Sequence, residues 1–333
     1  MKPSFKVRFL PKSLELQVGS GALIVDEASR SSLRVKQSCR NGVCEVCKAR
    51  LVSGKLLDRR TRREISPGNE FMLCTAEALS DSSVETNQIY AKGELPVKKY
   101  KCQIASVELM GAHIYRVQLE LPAGRLPETY AGQYLSLNIP ERDISSFFSI
   151  ASPPNMRMIE LHIQADPHLE SAFNIIQALQ ELKSVEIELP KGQACLTGLP
   201  KGELIMLAAG TGFAQMKSII EYVLAHAPET PMFLYWGVRE LHDMYLRELA
   251  EQWARDYPNF CFSALVAESG EEHVHYEQLA RAVLQHPHQF EDAQFFISGS
   301  PRLVYSSMEL LEQQGVSADQ FSSDVFEYAP REV

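Results

Sequence analysis

Gln37-Ser38-Cys39-Arg40-Asn41-Gly42-Val43-Cys44-Glu45-Val46-Cys47 carries three cysteines in C-x4-C-x2-C spacing, and Cys74 follows after 26 intervening residues. This is the ligand spacing of a plant-type [2Fe-2S] cluster. Such a cluster is anionic, so its thiolates need N–H donors around them. The stretch is short, irregular and glycine-containing, which lets a loop fold around the metal and turn backbone amides toward sulfur. Two other readings compete. Cysteine also serves as a small core hydrophobe, and zinc takes cysteine ligands, usually as two matched C-x2-C or Cys/His pairs. The chain has no second such pair, which favours iron–sulfur with Cys39, Cys44, Cys47 and Cys74 as ligands.

The chain around this loop has 333 residues and 45% hydrophobic content, enough for two to three packed domains. The first segment, Met1 to Arg8, places charges where a secretory signal needs an uninterrupted apolar stretch, and no run of about 18 apolar residues suggests a membrane span. A cytoplasmic protein with reduced thiols is expected, with Cys102, Cys195 and Cys261 as core residues. Charge is uneven. Residues 1–92 hold 16 Lys and Arg against 10 Asp and Glu, a net of +6, within a chain of net charge −9, so the remainder carries −15. Either the two parts attract each other, or a basic electron-carrier face meets an acidic partner. The basic run Arg59-Arg60-Thr61-Arg62-Arg63 is flanked by Asp58 and Glu64. A pI near 5.6 with no basic stripe interleaved with aromatics argues against nucleic-acid binding.

Periodicity divides the chain. Residues 1–91 read as a small α+β domain, with alternating strands at Phe5 to Leu10 and Leu14 to Val18, a short helix at Leu23 to Ser31, the cysteine loop, and a strand from Lys48 to Val52. Residues 92–99 have the Gly, Pro and charge content of a linker. Residues 100–200 show short alternating runs (Val107 to Leu109, Val117 to Leu121, Tyr134 to Leu137, Ile159 to Ile163, Val185 to Leu189) between Gly/Pro turns, the pattern of an antiparallel β-barrel. In residues 201–333 the apolar runs Leu204 to Ala208, Met232 to Trp236, Phe260 to Val266 and Phe295 to Ser298 alternate with helical patterns, the first with Met216, Ile219, Ile220, Val223 and Leu224. This predicts an α/β domain with a parallel sheet covered on both faces.

Ala209-Gly210-Thr211-Gly212-Phe213 ends the first strand of that sheet and opens a helix, where small residues let backbone amides approach a pyrophosphate. Alone this signal is weak, since the third glycine of a dinucleotide fingerprint would fall at Gln215. A second glycine turn, Ser298-Gly299-Ser300-Pro301, follows another strand in the same way. Ligands of open α/β sheets sit at such carboxyl ends, so two turns point to a nucleotide.

These segments, with Ala131-Gly132-Gln133-Tyr134, Phe148-Ser149-Ile150-Ala151-Ser152-Pro153, Glu160-Leu161-His162-Ile163 and Tyr235-Trp236-Gly237-Val238-Arg239, stand in the order of a known family. Residues 1–90 resemble plant-type ferredoxin domains, and residues 100–333 resemble the ferredoxin–NADP reductase superfamily, nearest to its bacterial flavin-reductase branch. The resemblance implies a β-grasp ferredoxin domain, a flavin-binding barrel and an NAD(P)-binding domain. It implies FAD, or FMN, on the barrel and NADH, or NADPH, as electron donor. It also implies an electron-accepting partner such as an oxygenase, hydroxylase or dehydrase. By resemblance, Phe148 and Ser149 lie against the flavin with His162 and Ile163 beside it. Gly210, Thr211, Gly212 and Arg239 take the nucleotide, with Gly299 and Pro301 across the cleft, and Ser149 and Ser298 stand at the site of hydride transfer. Phe326 or Tyr328 resembles the C-terminal ring that covers the flavin.

The chain departs from the family at defined places. Ser146 stands where the family's flavin-phosphate arginine is placed, with Arg142 as the nearest substitute. Ser298 replaces a cysteine, Gln215 a proline, and Glu45 a small residue of the cluster loop. Two alternatives follow from these departures: a flavin reductase that releases free reduced flavin, or an electron carrier whose reductase half holds none.

Overall fold

The structure is a computed structural model that describes residues 3–31, 33–91, 94–111, 113–166, 170–267 and 277–331. The chain divides into two compact units, Met1–Glu94 and Leu95–Val333. Of the stretch read as a linker, residues 92 and 93 lie outside the described residues, and residues 98 and 99 belong to the first strand of the second unit.

The first unit contains β1 (Ser4–Leu10), β2 (Leu14–Gly19), α1 (Ile24–Arg30), β3 (Arg34–Val35), β4 (Lys48–Ser53), β5 (Leu56–Asp58), β6 (Arg63–Ile65), β7 (Glu70–Met72), β8 (Ala76–Ala78), β9 (Ser82–Glu85) and β10 (Ile89–Tyr90). Val7, Phe9, Leu16 and Val18 alternate with exposed polar residues because successive strand side chains leave on opposite faces. β1 pairs antiparallel with β2 and parallel with β9, giving a five-stranded sheet in the order β2-β1-β9-β4-β7. α1 buries Ile24, Val25 and Ala28 in the same core as Leu51, Leu56 and Leu73. One helix held by a mixed sheet is the β-grasp arrangement.

In the second unit, β11 (Lys98–Gly111), β12 (Ile114–Glu120), β13 (Tyr134–Ile139), β14 (Ile144–Ser149), β15 (Met158–Gln164) and β16 (Ser184–Lys191) form one antiparallel sheet, ordered β14-β13-β16-β11-β12-β15, with α2 (Glu170–Glu181) between the last two strands in sequence. The sheet curls into a barrel, and its edges meet where Ile150 bridges Leu161. Leu119, Leu135, Leu137, Leu161 and Ile187 fill it, and α2 adds Ile175, Ile176 and Leu179. The sequence pattern did not separate α2 from the surrounding strands, and its Val107 to Leu109 run is the end of one 14-residue strand.

The rest of the unit is a parallel sheet of β17 (Leu204–Ala209), β18 (Met232–Val238), β19 (Phe260–Val266), β20 (Gln294–Ser298) and β21 (Phe321–Ser322), ordered β19-β18-β17-β20-β21. α3 (Phe213–His226) and α4 (Arg247–Asp256) bury one face, while α5 (Gln278–Leu284), α6 (Pro301–Glu312) and α7 (Val325–Tyr328) bury the other. Strand order reverses at β17. The crevice between β17 and β20 is therefore the place where such a sheet takes ligand. Cys102 and Cys195 are buried, but Cys261 is exposed, against expectation, because β19 is an edge strand. No described helix is long and apolar enough to cross a membrane.

Two glycines of the first unit separate backbone strain from crowding. Both have positive φ, but a Cβ at Gly54 would lie 2.3 Å from the Asp81 carbonyl oxygen, whereas one at Gly68 would meet nothing within 4 Å. Gly68→Ala should cost about 1 kcal/mol from strain alone, and Gly54→Ala at least about 2 kcal/mol more. Apparent melting temperatures of the two variants, followed by cluster absorbance, check this ordering.

Candidate functional site

The cysteine loop is built from unusual backbone. Arg40, Gly42 and Glu45 all have positive φ, near 57°, 76° and 58°. A Cβ on Gly42 would fall 3.0 Å from Thr75 Cγ2 and 3.2 Å from Arg60 Nε, so at φ 76° glycine fits without strain or displacement of these side chains. This path turns amides inward. The Cys44 N–H donates to Cys39 Sγ at 3.3 Å. The Asn41 amide, then the Cys44 thiol and the Cys44 and Val43 amides, pull the Cys39 thiol down to about 6. Burial and the adjacent Cys47 thiol push Cys74 up to about 11.

The thiols thus stand as two pairs, Cys39 with Cys44 and Cys47 with Cys74. No three His, Cys, Asp or Glu side chains among the described residues converge as a single metal ion would require. Two thiol pairs, one of them surrounded by amide donors, fit a two-iron cluster better than one tetrahedral zinc.

The second site is a cleft of about 670 Å³ between the barrel and the carboxyl ends of the parallel strands. Phe147, Phe148 and Ser149 from β14 and His162 from β15 form one wall; Gly210 to Gly212, Gly237 to Arg239, and Ser298 to Ser300 form the other. The glycines differ in cause. Gly210 has φ 53° and open space at its Cβ position, whereas a Cβ on Gly212 would lie 2.6 Å from the Ser298 carbonyl oxygen, and one on Gly299 3.2 Å from Ala209 Cβ. Gly212 and Gly299 therefore let the two turns press together, and Gly210 alone leaves room for a ligand. Trp236 Nε1 donates to the Gly210 carbonyl at 2.9 Å and fixes the turn.

The cleft fits a flavin and a nucleotide in its donor set. α3 starts with no side-chain cap, but its first amide, that of Phe213, donates to the Gly210 and Thr211 carbonyls, so the open Gly210 turn and the cleft hydroxyls are what face a ligand. The hydroxyls of Ser149, Thr211 and Ser298 line the cleft and make no hydrogen bond to a described residue. Charge is sparse: Arg239 is the one cation among the lining residues, and Asp243 stands 4.0 Å from it.

Under the barrel wall lies a buried ionic network. His162 Nδ1 lies 2.8 Å from the Tyr245 hydroxyl and Nε2 2.8 Å from Glu160 Oε1. Lys217 from α3 reaches Glu160 at 3.4 Å and Glu221 at 2.8 Å. Burial opposes ionisation of Glu160, but the His162 hydrogen bond and the Lys217 charge hold it down to about 2. Burial keeps His162 neutral. Its Nε2–H then donates to the carboxylate and Nδ1 accepts from Tyr245.

The structure thus brings Phe148, Ser149, His162, Gly210, Thr211, Gly212, Arg239, Ser298 and Gly299 into one cleft. Four expected residues do not line it. Arg142 pairs with Glu181 of α2. Ile163 is in the barrel core. Pro301 opens α6. Phe326 packs 6.1 Å from the Tyr305 ring instead. Glu160 was visible only as part of a motif and Gln215 only as a departure from one, and Lys217 and Tyr245 gave no local signal because their partners are distant in sequence. Gln215, in place of the family proline, donates to the Gly132 and Ala194 carbonyls at 2.9 and 3.0 Å and lies 3.3 Å from Asp324.

Asp324 Oδ1 is buried without a partner among the described residues. Burial, then the nearby Glu327 charge, push this carboxyl up to about 8. A raised folded pKa means that its stabilising contribution is full below about pH 4 and is lost as pH rises through about 8. The apparent melting temperature of the wild type should therefore fall between pH 5 and 9 relative to Asp324→Asn. Parallel profiles of the two proteins would contradict the assignment.

Comparison with known proteins agrees with both sites. Residues 7–79 match the family described as 2Fe-2S iron-sulfur cluster binding domain, and residues 206–308 match the family described as oxidoreductase NAD-binding domain. The reductase component 1 of terephthalate 1,2-dioxygenase from Comamonas is 28% identical, over 93% of this chain and 94% of the relative. The CDP-6-deoxy-L-threo-D-glycero-4-hexulose-3-dehydrase reductase of Yersinia pestis is 27% identical, over 97% and 98%. Among solved structures, the Amycolatopsis cytochrome P450 reductase GcoB aligns with TM-score 0.61 at 20% identity, over 96% of this chain and 98% of that one, which shows a shared fold. With its paired cluster thiols, glycine-lined cleft and these two matched domains, the chain is a ferredoxin-type NAD(P)H oxidoreductase.

Proposed function

We propose that the protein takes electrons from NADH at the cleft and delivers them singly, through its [2Fe-2S] cluster, to an oxygenase, hydroxylase or dehydrase component. The observation that carries this reading is the opposition of Ser149 and the Gly210 to Gly212 turn across one cleft, in a chain that also carries the three-cysteine loop and Cys74. FAD bound there supplies the conversion between the electron pair of a nicotinamide and the single electron of an iron–sulfur cluster.

The chain's own residues would position the reactants. The open backbone at Gly210 and the Thr211 hydroxyl would hold the nucleotide phosphates. Ser149, whose hydroxyl lines the cleft without a described partner, and Phe148 beside it would hold the flavin ring, the hydroxyl as a hydrogen-bonding group and the phenyl ring as an apolar surface. Ser298, across the cleft, borders the nicotinamide. His162 has no spare proton, since both ring nitrogens are engaged; its role is to fix β15 in the cleft wall. Glu240 and Asp243 follow the second sheet strand and disfavour a 2′-phosphate, so NADH is the preferred donor. A cytoplasmic setting suits the seven free cysteines.

Cys44→Ser should lose reduction of a one-electron acceptor while largely keeping NADH oxidation by a flavin-accepting dye. Unchanged iron content and an unchanged EPR signal of the reduced variant would remove Cys44 from the ligand set.

A second reading, release of free reduced flavin, is favoured by the sparse charge of the cleft, where none of the lining barrel residues is a lysine or arginine and Ser146 stands at the place of the phosphate arginine. A missing charge-assisted pair costs about 1.5–3 kcal/mol, or one to two decades of affinity. FAD and FMN titrations of the apoprotein are expected to give similar, weak binding. Flavin that stays bound through exhaustive dialysis would overturn this expectation.

A further inference from the structure

The cluster loop has an exposed tip. Val43, at 69%, is the most exposed large apolar side chain of the described residues, and Cys44 beside it is the exposed ligand, whereas Cys47 and Cys74 are buried. The side chain of Arg60 lies against this loop at Gly42, and Arg60, Arg62 and Arg63 are all exposed in the turn and strand that follow β5. Several other cations of this unit are paired: Arg40 with Asp26, Arg50 with Glu85, Lys55 with Glu64, and Arg59 with Glu77. Arg60, Arg62 and Arg63 form no ion pair with a described carboxylate. Their turn is held from within, because Asp58 accepts from the Arg60 amide at 2.9 Å and the Thr61 hydroxyl at 3.0 Å, and the Asp58 carbonyl accepts from the Arg62 amide at 2.7 Å.

We propose that this arginine turn and the Val43–Cys44 tip form the surface through which electrons leave, and that it fits an acidic patch on a separate electron-accepting protein. The proposal rests on the cluster reading given above. An apolar centre with a cationic rim is the composition of a transient docking site, where rim charges set the encounter rate. A separate protein gains from such steering. A domain on the same chain does not need it, since the tether already supplies a high effective concentration. The acidic remainder of this chain is the rival occupant, and the test separates the two.

The holoprotein is compared with the triple variant Arg60→Glu, Arg62→Glu, Arg63→Glu and with the double variant Arg62→Glu, Arg63→Glu. Two rates are read by stopped flow: bleaching of the cluster by NADH, and oxidation of stoichiometrically pre-reduced protein by cytochrome c, either native and basic or succinylated and acidic. The wild type should favour the succinylated form at low salt, with an advantage of about tenfold or more that shrinks as ionic strength approaches 0.15 M. The triple variant should lose that advantage and the double variant part of it, with cluster EPR and bleaching by NADH unchanged. A wild-type preference for native cytochrome c, or an unchanged preference in the triple variant, would overturn the proposal. So would slowed bleaching in the triple variant, which would assign this face to the chain's own acidic part. Pre-reduced protein reads the exit step alone, so absence of NADH-driven bleaching would count against the proposed reductase function and not against this surface.

Discussion

The contact between Gly212 and the Ser298 carbonyl is the constraint on which the cleft depends. The start of α3 and the end of β20 belong to strands on either side of the point where sheet order reverses, and nothing in the sheet's hydrogen bonding requires their turns to touch. They touch because a Cβ at Gly212 would fall 2.6 Å from that oxygen, so only glycine permits the approach. Gly299 completes the contact from the other turn by resting on Ala209. Once the turns are locked, Gly210 can spend its left-handed conformation on the open side. A motif that reads as two equivalent glycines is thus one packing glycine and one ligand-facing glycine.

α3 carries a second constraint. One face, with Met216, Ile219, Ile220 and Val223, packs on the parallel sheet. The other meets the barrel through Gln215, Lys217 and Ser218, all buried, where Ser218 donates to the Ser152 carbonyl at 2.8 Å and Lys217 to the Ala151 carbonyl at 3.4 Å. A lysine between two glutamates in such a seam gains little net stability, because desolvation offsets the attraction. Removing one partner still costs about 3–5 kcal/mol by stranding the rest. The network therefore favours one relative placement of barrel and sheet. That placement also sets how far Ser149 stands from the glycine turn.

The same helix shows what the sequence could reveal. Its apolar stripe was legible because every residue in it answers to one neighbour, the sheet. The burial of Gln215, Lys217 and Ser218 could not be read locally, because their partners Gly132, Glu160 and Ser152 lie between 57 and 83 positions away. The cysteine loop was legible for the opposite reason, since its donors lie within five residues of Cys39 and spacing alone carries the geometry. α2 was obscured because its apolar residues join a core otherwise built by strands, so the change of period is brief. Cys261 was misplaced because strand alternation gives burial only after sheet order is known, and β19 proves to be an edge.

Two kinds of site follow from these two kinds of information. The cluster cradle is mostly local: three left-handed residues, one of them the crowded Gly42, shape the loop that carries three of its four thiols. The cleft is tertiary, and its departures from the family pattern are coupled to one another. Proline at position 215 would rigidify the first turn of α3 without any side-chain hydrogen bond. Glutamine instead ties that turn to Gly132 and Ala194 of the barrel and approaches Asp324 in the carboxyl-terminal segment. Glu327 in that segment accepts from the Gln193 amide and from the Tyr134 hydroxyl, and Tyr134 pairs across strands with Ser149. The loss of a stiff residue at 215 is thus offset by hydrogen bonds that run to the strand carrying Ser149, so flavin wall and nucleotide turn are held by one connected set of contacts.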